Sequence, residues 1–337
     1  MADEQAATLA CIDGFFLRSS LTSQHKLDCF NFIQQLYPGK AIIPTKSQGY
    51  CSLTLFVGED IVIQFRPLKY RLDLQITAAA EGIYGSFVPA TKYIATLPTS
   101  GLLVYSMTRV EGLSLKDLRG ECIPSTAQNA DLCRDFARFL SKAWHHSTDS
   151  PPLGKVGRSI RRRLGQLGAQ LPPRFRGTAQ NVLRELSRID NLPWVLTHGD
   201  IVPSNLLVFP STGRLSGLVD WAEAEYLPFG VSLYGLEEIL GEMTAAGFKY
   251  YPEADNMREI FWTELRSHVP ELEENSSMVD VIKLSRDLGV LLWYGIAFDD
   301  GAIDRVVQEG RDVDEISKLE TFLNIHEHDS LARYSKI

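Results

Sequence analysis

The chain has 337 residues, of which 45% are hydrophobic and 23% are charged, a balance that is typical of a folded globular protein. This length is sufficient for two lobes or for one large domain. Acidic residues outnumber basic residues by 42 to 34, and a net charge of -8 argues against a general nucleic-acid binder, which needs a basic surface. We therefore expect a folded protein without a nucleic-acid partner.

The cysteines and the N-terminus indicate where the protein is located. The five cysteines are scattered and form no C-x-x-C pair, which favours reduced thiols in the cytosol. The first residues, "MADEQAATLACIDGFFLRSS", begin acidic and lack a sustained apolar core, so no signal peptide is predicted. No apolar run approaches the roughly 20 residues that span a bilayer. We expect a cytoplasmic protein without a membrane partner, and the sequence leaves its oligomeric state open.

The N-terminal part of the chain alternates between strand-like and helix-like segments. Apolar residues recur at helical spacing between Ser23 and Leu36, and Ser23 is the predicted cap of this helix. The segments "YCSLTLFV" and "DIVIQFRP" around "GED" predict a hairpin. A helix from Leu72 to Tyr84 and two strands around "PTSG" complete an α+β pattern over residues 1–108.

After residue 108 the pattern becomes mainly helical. Amphipathic segments predict helices over residues 129–146, 159–171 and 178–189, and two short strands around a loop follow them. Beyond Pro228 almost every segment has helical spacing. The sequence thus predicts a lobe boundary between residues 1–108 and 109–337.

The stretch "WVLTHGDIVPSNLLVFPSTGRLSGLVDW" carries the most informative polar side chains. Asp200 follows a strand-like segment at Gly199, and Asn205 precedes the next apolar run. The turn "STGRLSG" would bring "LVD" back antiparallel, so Asp220 is expected close to Asn205. Carboxylate and amide oxygens suit Mg²⁺, and a further carboxylate can orient or deprotonate a hydroxyl, as in kinase-type phosphoryl transfer. The alternative is a pair of turns with ordinary Asx caps.

This stretch resembles the signature of aminoglycoside phosphotransferases and choline kinases: His-Gly-Asp, four residues, Asn, and then Asp-Trp on the next strand. The matching residues are His198, Gly199, Asp200, Asn205, Asp220 and Trp221. The resemblance implies a bilobal protein-kinase-like fold of the α+β class. It would have a small mixed β lobe that binds the nucleotide and a larger, mainly helical lobe for catalysis and substrate binding. The segment "WAEAEYLPFG" looks most like the fungal members of the superfamily.

The resemblance also implies roles for these residues. Asp200 would be the catalytic base or the group that positions the acceptor hydroxyl, and Asn205 and Asp220 would hold Mg²⁺ on the nucleotide phosphates. His198 and Trp221 would be structural, and a histidine in a buried turn is more often a hydrogen-bonded brace than a base. On this reading, Asp220→Ala would abolish Mg²⁺-dependent nucleotide affinity and leave the fold intact.

The implied function is that of a small-molecule kinase. It would transfer the γ-phosphate of ATP, or of GTP, to a hydroxyl of a small metabolite or antibiotic that can carry an amine. The alternative is a catalytically silent kinase-like protein that binds a nucleotide, a metabolite or a protein partner. A protein kinase is disfavoured, because the His-Arg-Asp and Asp-Phe-Gly motifs are absent from the sequence.

The nucleotide-binding residues are less clear in the sequence. The family's phosphate-binding Lys or Arg would fall at Gln64 or Arg66, which share one face of an alternating strand. Its partner carboxylate on the following helix would be Asp73 or Glu81. The other nucleotide-binding candidates lie in the loop "KSQGYCSLT" and in the hinge-like segment "GLLVYSMTRVEG": Gly49, Ser52, Met107 and Thr108.

The residues that would bind the acceptor, and those that would support the active site, are also expectations from the resemblance. After Asp-Trp most relatives have a second Asp that supports the active site, where this chain has "GVSLYGLEE". Glu223 or Glu225 would substitute for it, or both are polar loop residues. The acceptor candidates in "LLWYGIAFDDGAID" are Trp293, Asp299 and Asp300, because aromatic rings and carboxylates bind ammonium groups. The alternative is that the tryptophan packs in the core while the aspartates cap a turn.

Overall fold

The computed structural model describes residues 2–45, 48–122, 124–299 and 302–324. The chain forms two compact units, Met1–Glu111 with Gly217–Ala222, and Gly112–Ser216 with Glu223–Ile337. The chain passes from the second unit into the first between Ser216 and Gly217 and returns after Ala222. The functional division of the chain after residue 108 stays a prediction.

The described residues of the first unit form a five-stranded sheet and three α-helices. Its elements are α1 (Ala2–Arg18), α2 (Ser23–Leu36), β1 (Ile42–Pro44), β2 (Leu53–Val57), β3 (Ile61–Arg66), α3 (Leu74–Tyr84), β4 (Thr91–Thr96) and β5 (Leu103–Thr108). The strand order is β1-β2-β3-β5-β4, and every pair is antiparallel. The predicted order of strands and helix is confirmed, whereas α1 was not predicted. The cap of α2 is Thr22 and not Ser23, since the Thr22 backbone N–H donates to His25 Nδ1 at 3.0 Å.

The core of this unit lies on one face of the sheet. Leu53, Leu55 and Val57 of β2 pack there with Ile63 and Phe65 of β3, and all five are fully buried. Helices α1 and α2 supply further members of the same cluster: Ile12, Phe15, Phe16, Cys29 and Ile33. Because side chains alternate along a strand, Gln64 and Arg66 lie on the opposite face of β3.

The second unit is mainly helical. Its elements are β6 (Leu113–Ser114), α4 (Leu115–Glu121), α5 (Thr126–His145), α6 (Ile160–Gln170), α7 (Pro173–Arg184), α8 (Leu186–Asp190), β7 (Trp194–Thr197), β8 (Leu206–Val208), β9 (Leu215–Leu218, continuing into the first unit), β10 (Glu225–Pro228), α9 (Tyr234–Ile239), β11 (Gly241–Thr244), β12 (Gly247–Tyr250), α10 (Ala254–His268), α11 (Glu271–Glu274), α12 (Ser276–Tyr294), β13 (Ile296–Asp299), β14 (Ala302–Val306) and α13 (Val313–Phe322). Strand β7 pairs with β10, and the chain leaves β7 directly into the His-Gly-Asp turn. None of the helices in the described part of the chain is long and apolar enough to cross a membrane.

The prediction of almost continuous helix beyond Pro228 is wrong in two places. Helix α9 ends at Ile239, and the chain then forms the antiparallel hairpin β11–β12. A Cβ on Gly241 would lie 2.3 Å from the Lys249 carbonyl oxygen, so this close pairing requires glycine. A second hairpin, β13–β14, follows α12. Its sequence signal is the dipeptide Asp-Gly between two apolar segments, which favours a hairpin turn.

Candidate active site

A buried arginine organises the polar face of β3 in the first unit. The Arg66 side chain is 2% exposed, and its Nη2 donates to Asp220 Oδ1 at 3.1 Å. Its Nε donates to Gln64 Oε1 at 2.9 Å, and its Nη1 donates to the Tyr70 carbonyl at 3.2 Å. The Gln64 amide in turn lies 3.3 Å from the Thr54 hydroxyl. Because a buried guanidinium needs a counter-charge, the Asp220 carboxylate is the group that neutralises Arg66.

The two carboxylates considered on the following helix do not have this role. Asp73 is the N-cap of α3, where its side chain accepts from the backbone N–H groups of Gln75 and Ile76. Glu81 is exposed. Within the described residues, neither carboxylate pairs with Arg66, and the expectation of an acidic partner on this helix is corrected in favour of Asp220.

The conformation of the Asp-Trp pair fixes the direction of the Asp220 carboxylate. Asp220 has a φ of +63°, in the left-handed region that residues with a Cβ rarely adopt. Trp221 follows it, 5% exposed, with its ring 5.2 Å from that of Tyr84 and its Nε1 donating to the Leu218 carbonyl at 2.9 Å. The side chain of Asp220 is 43% exposed, so the oxygen that does not contact Arg66 can bind a cation.

A small cavity, partly open to solvent, lies within the first unit beside this pair. Its lining includes Gln64, Leu72, Val88, Met107, Asp220 and Trp221. Of the predicted nucleotide-binding residues, Gln64 and Met107 therefore line the same cavity as Asp220.

The other nucleotide-binding candidates lie elsewhere in the first unit. Thr108 ends β5, and its hydroxyl accepts the backbone N–H of Ala90 at 2.9 Å. Ser52 is 4% exposed, with its hydroxyl 3.2 Å from that of Thr54, while Gly49 is exposed in the loop before β2. Their assignment to nucleotide binding stays a prediction.

The His-Gly-Asp turn in the second unit holds Asp200 by its backbone and by its side chain. His198 is 1% exposed, and its Nδ1 accepts the Asp200 backbone N–H at 3.1 Å. The Asn205 Nδ2 donates to the Asp200 carbonyl at 3.0 Å and to its Oδ2 at 2.8 Å. These bonds agree with a structural role for His198. Asp220 belongs to the first unit, and its predicted proximity to Asn205 stays a prediction.

An aromatic pair lies next to this turn. The Tyr234 hydroxyl accepts the backbone N–H of Ile201, the residue after Asp200, at 2.9 Å. The Trp293 ring stacks on Tyr234 with centroids 5.0 Å apart and an interplanar angle of 10°. Trp293 is half-buried, so this predicted acceptor residue packs on a core ring and also reaches the surface.

The remaining predicted site residues are placed as follows. Asp300 lies outside the described residues, and Asp299 ends β13 with a side chain that is also outside the description. Glu225 is 8% exposed, and its carboxylate accepts the backbone N–H groups of Val156 and Gly157 at 3.0 and 2.9 Å. Its two oxygens therefore brace the segment before α6, whereas Glu223 is exposed.

Comparison with known proteins places these motifs in a family. Residues 71–235 match the phosphotransferase enzyme family, a range that contains Asp200, Asn205 and Asp220. Residues 71–235 thus belong to the aminoglycoside phosphotransferase superfamily. The predicted membership and the kinase-like α+β fold are thus confirmed, whereas the resemblance to fungal members stays a prediction.

Two kinds of relatives accompany this match. The chain is 26% identical over 243 residues to the uncharacterized protein YcbJ of Bacillus subtilis (strain 168), covering 64% of this chain and 74% of that protein. The fold is similar to the GDP complex of wild-type aminoglycoside 2'-phosphotransferase-IIIa, with a TM-score of 0.53 and 14% identity over 91% of this chain and 99% of that one. The GDP and kanamycin complex of APH(2")-IIIa has a TM-score of 0.55 and 15% identity over 91% and 99%. At these identities the solved structures support the fold alone.

Metal binding in this phosphotransferase chain would need few protein ligands. The described residues contain no group of three or more His, Cys, Asp or Glu side chains that could hold a metal ion. Mg²⁺ in phosphoryl-transfer sites is usually held by one or two side chains together with waters and substrate phosphates. Amide and carboxylate oxygens are hard donors of the kind that Mg²⁺ prefers, and the assignment of Asn205 and Asp220 to this ion stays a prediction.

Gly199 is the position of the phosphotransferase motif where a substitution is expected to be least tolerated. Its φ is +77°, and a Cβ would lie 2.1 Å from the Glu223 carbonyl oxygen. We expect Gly199→Ala to lower the free energy of unfolding by more than about 3 kcal/mol, since the strain and the clash add. Urea unfolding measures this change. Gly165→Ala in α6, where a Cβ meets no atom within 4 Å, is the matched control and should stabilise by roughly 0.5–1 kcal/mol. Equal effects of the two substitutions on the free energy of unfolding would contradict the inference that position 199 requires glycine.

Tyr234 is the site residue of the phosphotransferase that sequence reasoning missed. It follows Asp200 by more than thirty positions, and its segment "GVSLYGLEE" has only an ordinary helical pattern. Its signal in the sequence is the absence of the family's second Asp, for which Glu223 and Glu225 are the predicted replacements. A phenol that accepts a backbone N–H can take the same place, because a hydroxyl oxygen is also an acceptor.

Proposed function

We propose that the chain is a small-molecule kinase that transfers the γ-phosphate of ATP or GTP to an alcohol group of a small acceptor. The observation that carries this proposal is the geometry of the His-Gly-Asp turn, in which the Asn205 amide donates to the Asp200 carboxylate at 2.8 Å. The family match over residues 71–235 and the GDP complexes of the solved relatives support a nucleotide co-substrate.

Asp200 would act on the acceptor hydroxyl. One carboxylate oxygen is held by Asn205, and His198 holds the backbone of the same residue, so the second oxygen keeps a defined direction. The hydroxyl oxygen of the acceptor forms a bond to the γ-phosphorus, the bond to the nucleotide diphosphate breaks, and the hydroxyl proton passes to Asp200. Fixing the base beforehand lowers the cost of ordering it in the transition state.

The nucleotide end of the reaction would depend on a bound metal ion and on the residues that hold it. Asn205 and Asp220 would hold Mg²⁺, which neutralises phosphate charge when it is bound. Arg66 orients the Asp220 carboxylate through the bond at 3.1 Å, and Gln64 presents a neutral amide to the cavity. In this proposal the cation expected on the third strand is Arg66, and it acts by orienting the Asp220 carboxylate.

Trp293 supports an acceptor with a flat face or a cationic group. Its ring is half-buried and stacks on Tyr234, which lies against the loop that carries Asp200. Aromatic faces attract ammonium groups, so an amine-bearing alcohol fits this surface. The kanamycin complex of a structural relative supports the same class of acceptor.

A catalytically silent binder is the second candidate. The neutral Gln64 lining the cavity favours it, because a cation at that position would contribute more to phosphate binding. The motif residues Asp200, Asn205 and Asp220 oppose it, since a binder does not need a base.

Release of ADP or GDP in a screen of acceptors tests the proposal. Wild-type protein is incubated with ATP or GTP, with or without Mg²⁺, and with amino alcohols, aminoglycosides or sugars. We expect Mg²⁺-dependent release above the no-acceptor rate with at least one hydroxyl-bearing amine. Saturable nucleotide binding in a thermal-shift assay, without phosphoryl transfer to any of these acceptors, would instead support the silent binder.

A further inference from the structure

The Tyr234 hydroxyl lies next to the catalytic loop but has no part in the proposed transfer. We propose that Tyr234 is a positioning residue, whose hydroxyl fixes the backbone directly after Asp200 and whose ring supports Trp293. The inference rests on the proposed function for the role of Asp200. It adds a residue that the family signature does not contain.

The first argument is that the buried backbone N–H of Ile201 needs a hydrogen-bond acceptor. Ile201 is fully buried and lies outside any strand, so its N–H group cannot reach water or a neighbouring strand. An unpaired buried N–H is rare in proteins because it loses its bonds to water. The Tyr234 hydroxyl is the acceptor, at 2.9 Å. This bond connects the loop to α9.

The second argument is the rigidity of Tyr234 itself. It is 2% exposed, and its ring has Trp293 stacked on it and Tyr294 edge-on at 6.0 Å. A Cβ on the adjacent Gly235 would lie 2.4 Å from Ile201 Cγ2, so α9 packs directly on the loop. A ring confined in this way holds its hydroxyl in place, and a side chain of similar size without the hydroxyl can fill the same space.

The third argument is the charge of the Tyr234 phenol. Burial raises the pKa of Tyr234 well above its ordinary value, and the nearby charge of Asp200 raises it further. The phenol is therefore neutral and accepts the Ile201 N–H without adding a second buried negative charge beside Asp200. Glu225, one of the carboxylates considered for this support, instead holds the backbone N–H groups of Val156 and Gly157.

The test compares Tyr234→Phe with Tyr250→Phe. The control removes another phenol hydroxyl of the same unit, which donates to Glu237 Oε2 at 2.7 Å. We expect Tyr234→Phe to lower kcat roughly tenfold to a hundredfold, with the KM for nucleotide changed by less than about twofold. The control should retain kcat within about twofold. Hydrogen exchange of the Ile201 amide should become faster by about tenfold or more in Tyr234→Phe alone.

The two readouts separate this inference from the proposed function. If wild-type protein transfers phosphate to no acceptor, the proposed function fails, and exchange at Ile201 still decides whether Tyr234 positions the loop. Equal loss of kcat in both variants, or unchanged Ile201 exchange in Tyr234→Phe, would overturn the inference. If Tyr234→Phe does not fold, hydrogen exchange of the Ile201 amide is measured in the wild-type protein alone. Fast exchange there would also overturn the inference, because an amide held by the Tyr234 hydroxyl should exchange slowly.

Discussion

Replacing Asp200 by Asn is expected to lower kcat by at least about a thousandfold while the affinity for nucleotide changes by less than about threefold. The amide has the size of the carboxylate, and its carbonyl oxygen can still accept the Asn205 bond that is 2.8 Å long in the wild type. It cannot take up the acceptor proton, so only the chemical step loses its base. Nucleotide release under saturating substrate and titration calorimetry measure the two quantities.

A surface carboxylate is the control for this experiment. Asp255 is 99% exposed and pairs with Arg258 on α10, so Asp255→Asn should leave kcat within about twofold. If Asp200→Asn retains more than about a tenth of the wild-type kcat, the assignment of the base is wrong. A loss of nucleotide affinity as large as the loss of kcat would instead indicate a disrupted fold.

Replacing Asp220 by Ala is expected to remove Mg²⁺-dependent nucleotide binding and also to destabilise the protein. Arg66 is 2% exposed and loses its counter-charge, which costs about 3–5 kcal/mol for a fully buried pair. Because the Asp220 side chain is 43% exposed, we expect about 1–3 kcal/mol, to which alanine at a φ of +63° adds about 1 kcal/mol of strain. The structure thus changes the sequence-based expectation that this substitution leaves the fold intact.

Asp220→Asn separates the two effects. Asparagine tolerates a positive φ and offers Arg66 an oxygen, so the stability should fall less than with alanine. The Mg²⁺-dependent part of the nucleotide affinity should still be lost, because the carboxylate charge is gone. Urea unfolding and calorimetry with ATP, with and without Mg²⁺, measure these quantities.

Removal of the Arg66 guanidinium provides a further check on the ion pair between Arg66 and Asp220. In a double-mutant cycle, Arg66→Met should recover part of the stability that Asp220→Ala loses, since no buried charge then remains unpaired. Strictly additive losses in the cycle would contradict the ion pair. Unchanged nucleotide affinity in Asp220→Asn would contradict the metal assignment.

Local patterns in the sequence predicted the elements that depend on neighbouring residues. The apolar spacing over Ser23–Leu36 and the alternation in β2 and β3 are properties of short segments, and these elements formed where they were expected. The hairpin β11–β12 was missed because "GLEEILGEM" has helical spacing, and only the approach of Gly241 to Lys249 favours strands.

The sequence by itself determined the family, the kinase-like fold and the His-Gly-Asp, Asn and Asp-Trp motif, because these depend on residue types at short, constant spacings. Only the tertiary structure decided that Arg66 pairs with Asp220, a residue 154 positions away, and that α3 does not supply its partner. It also decided that the Tyr234 phenol accepts the Ile201 N–H. Such pairings depend on which distant segments pack together, and a buried charge or N–H takes whichever partner that packing brings within hydrogen-bonding distance.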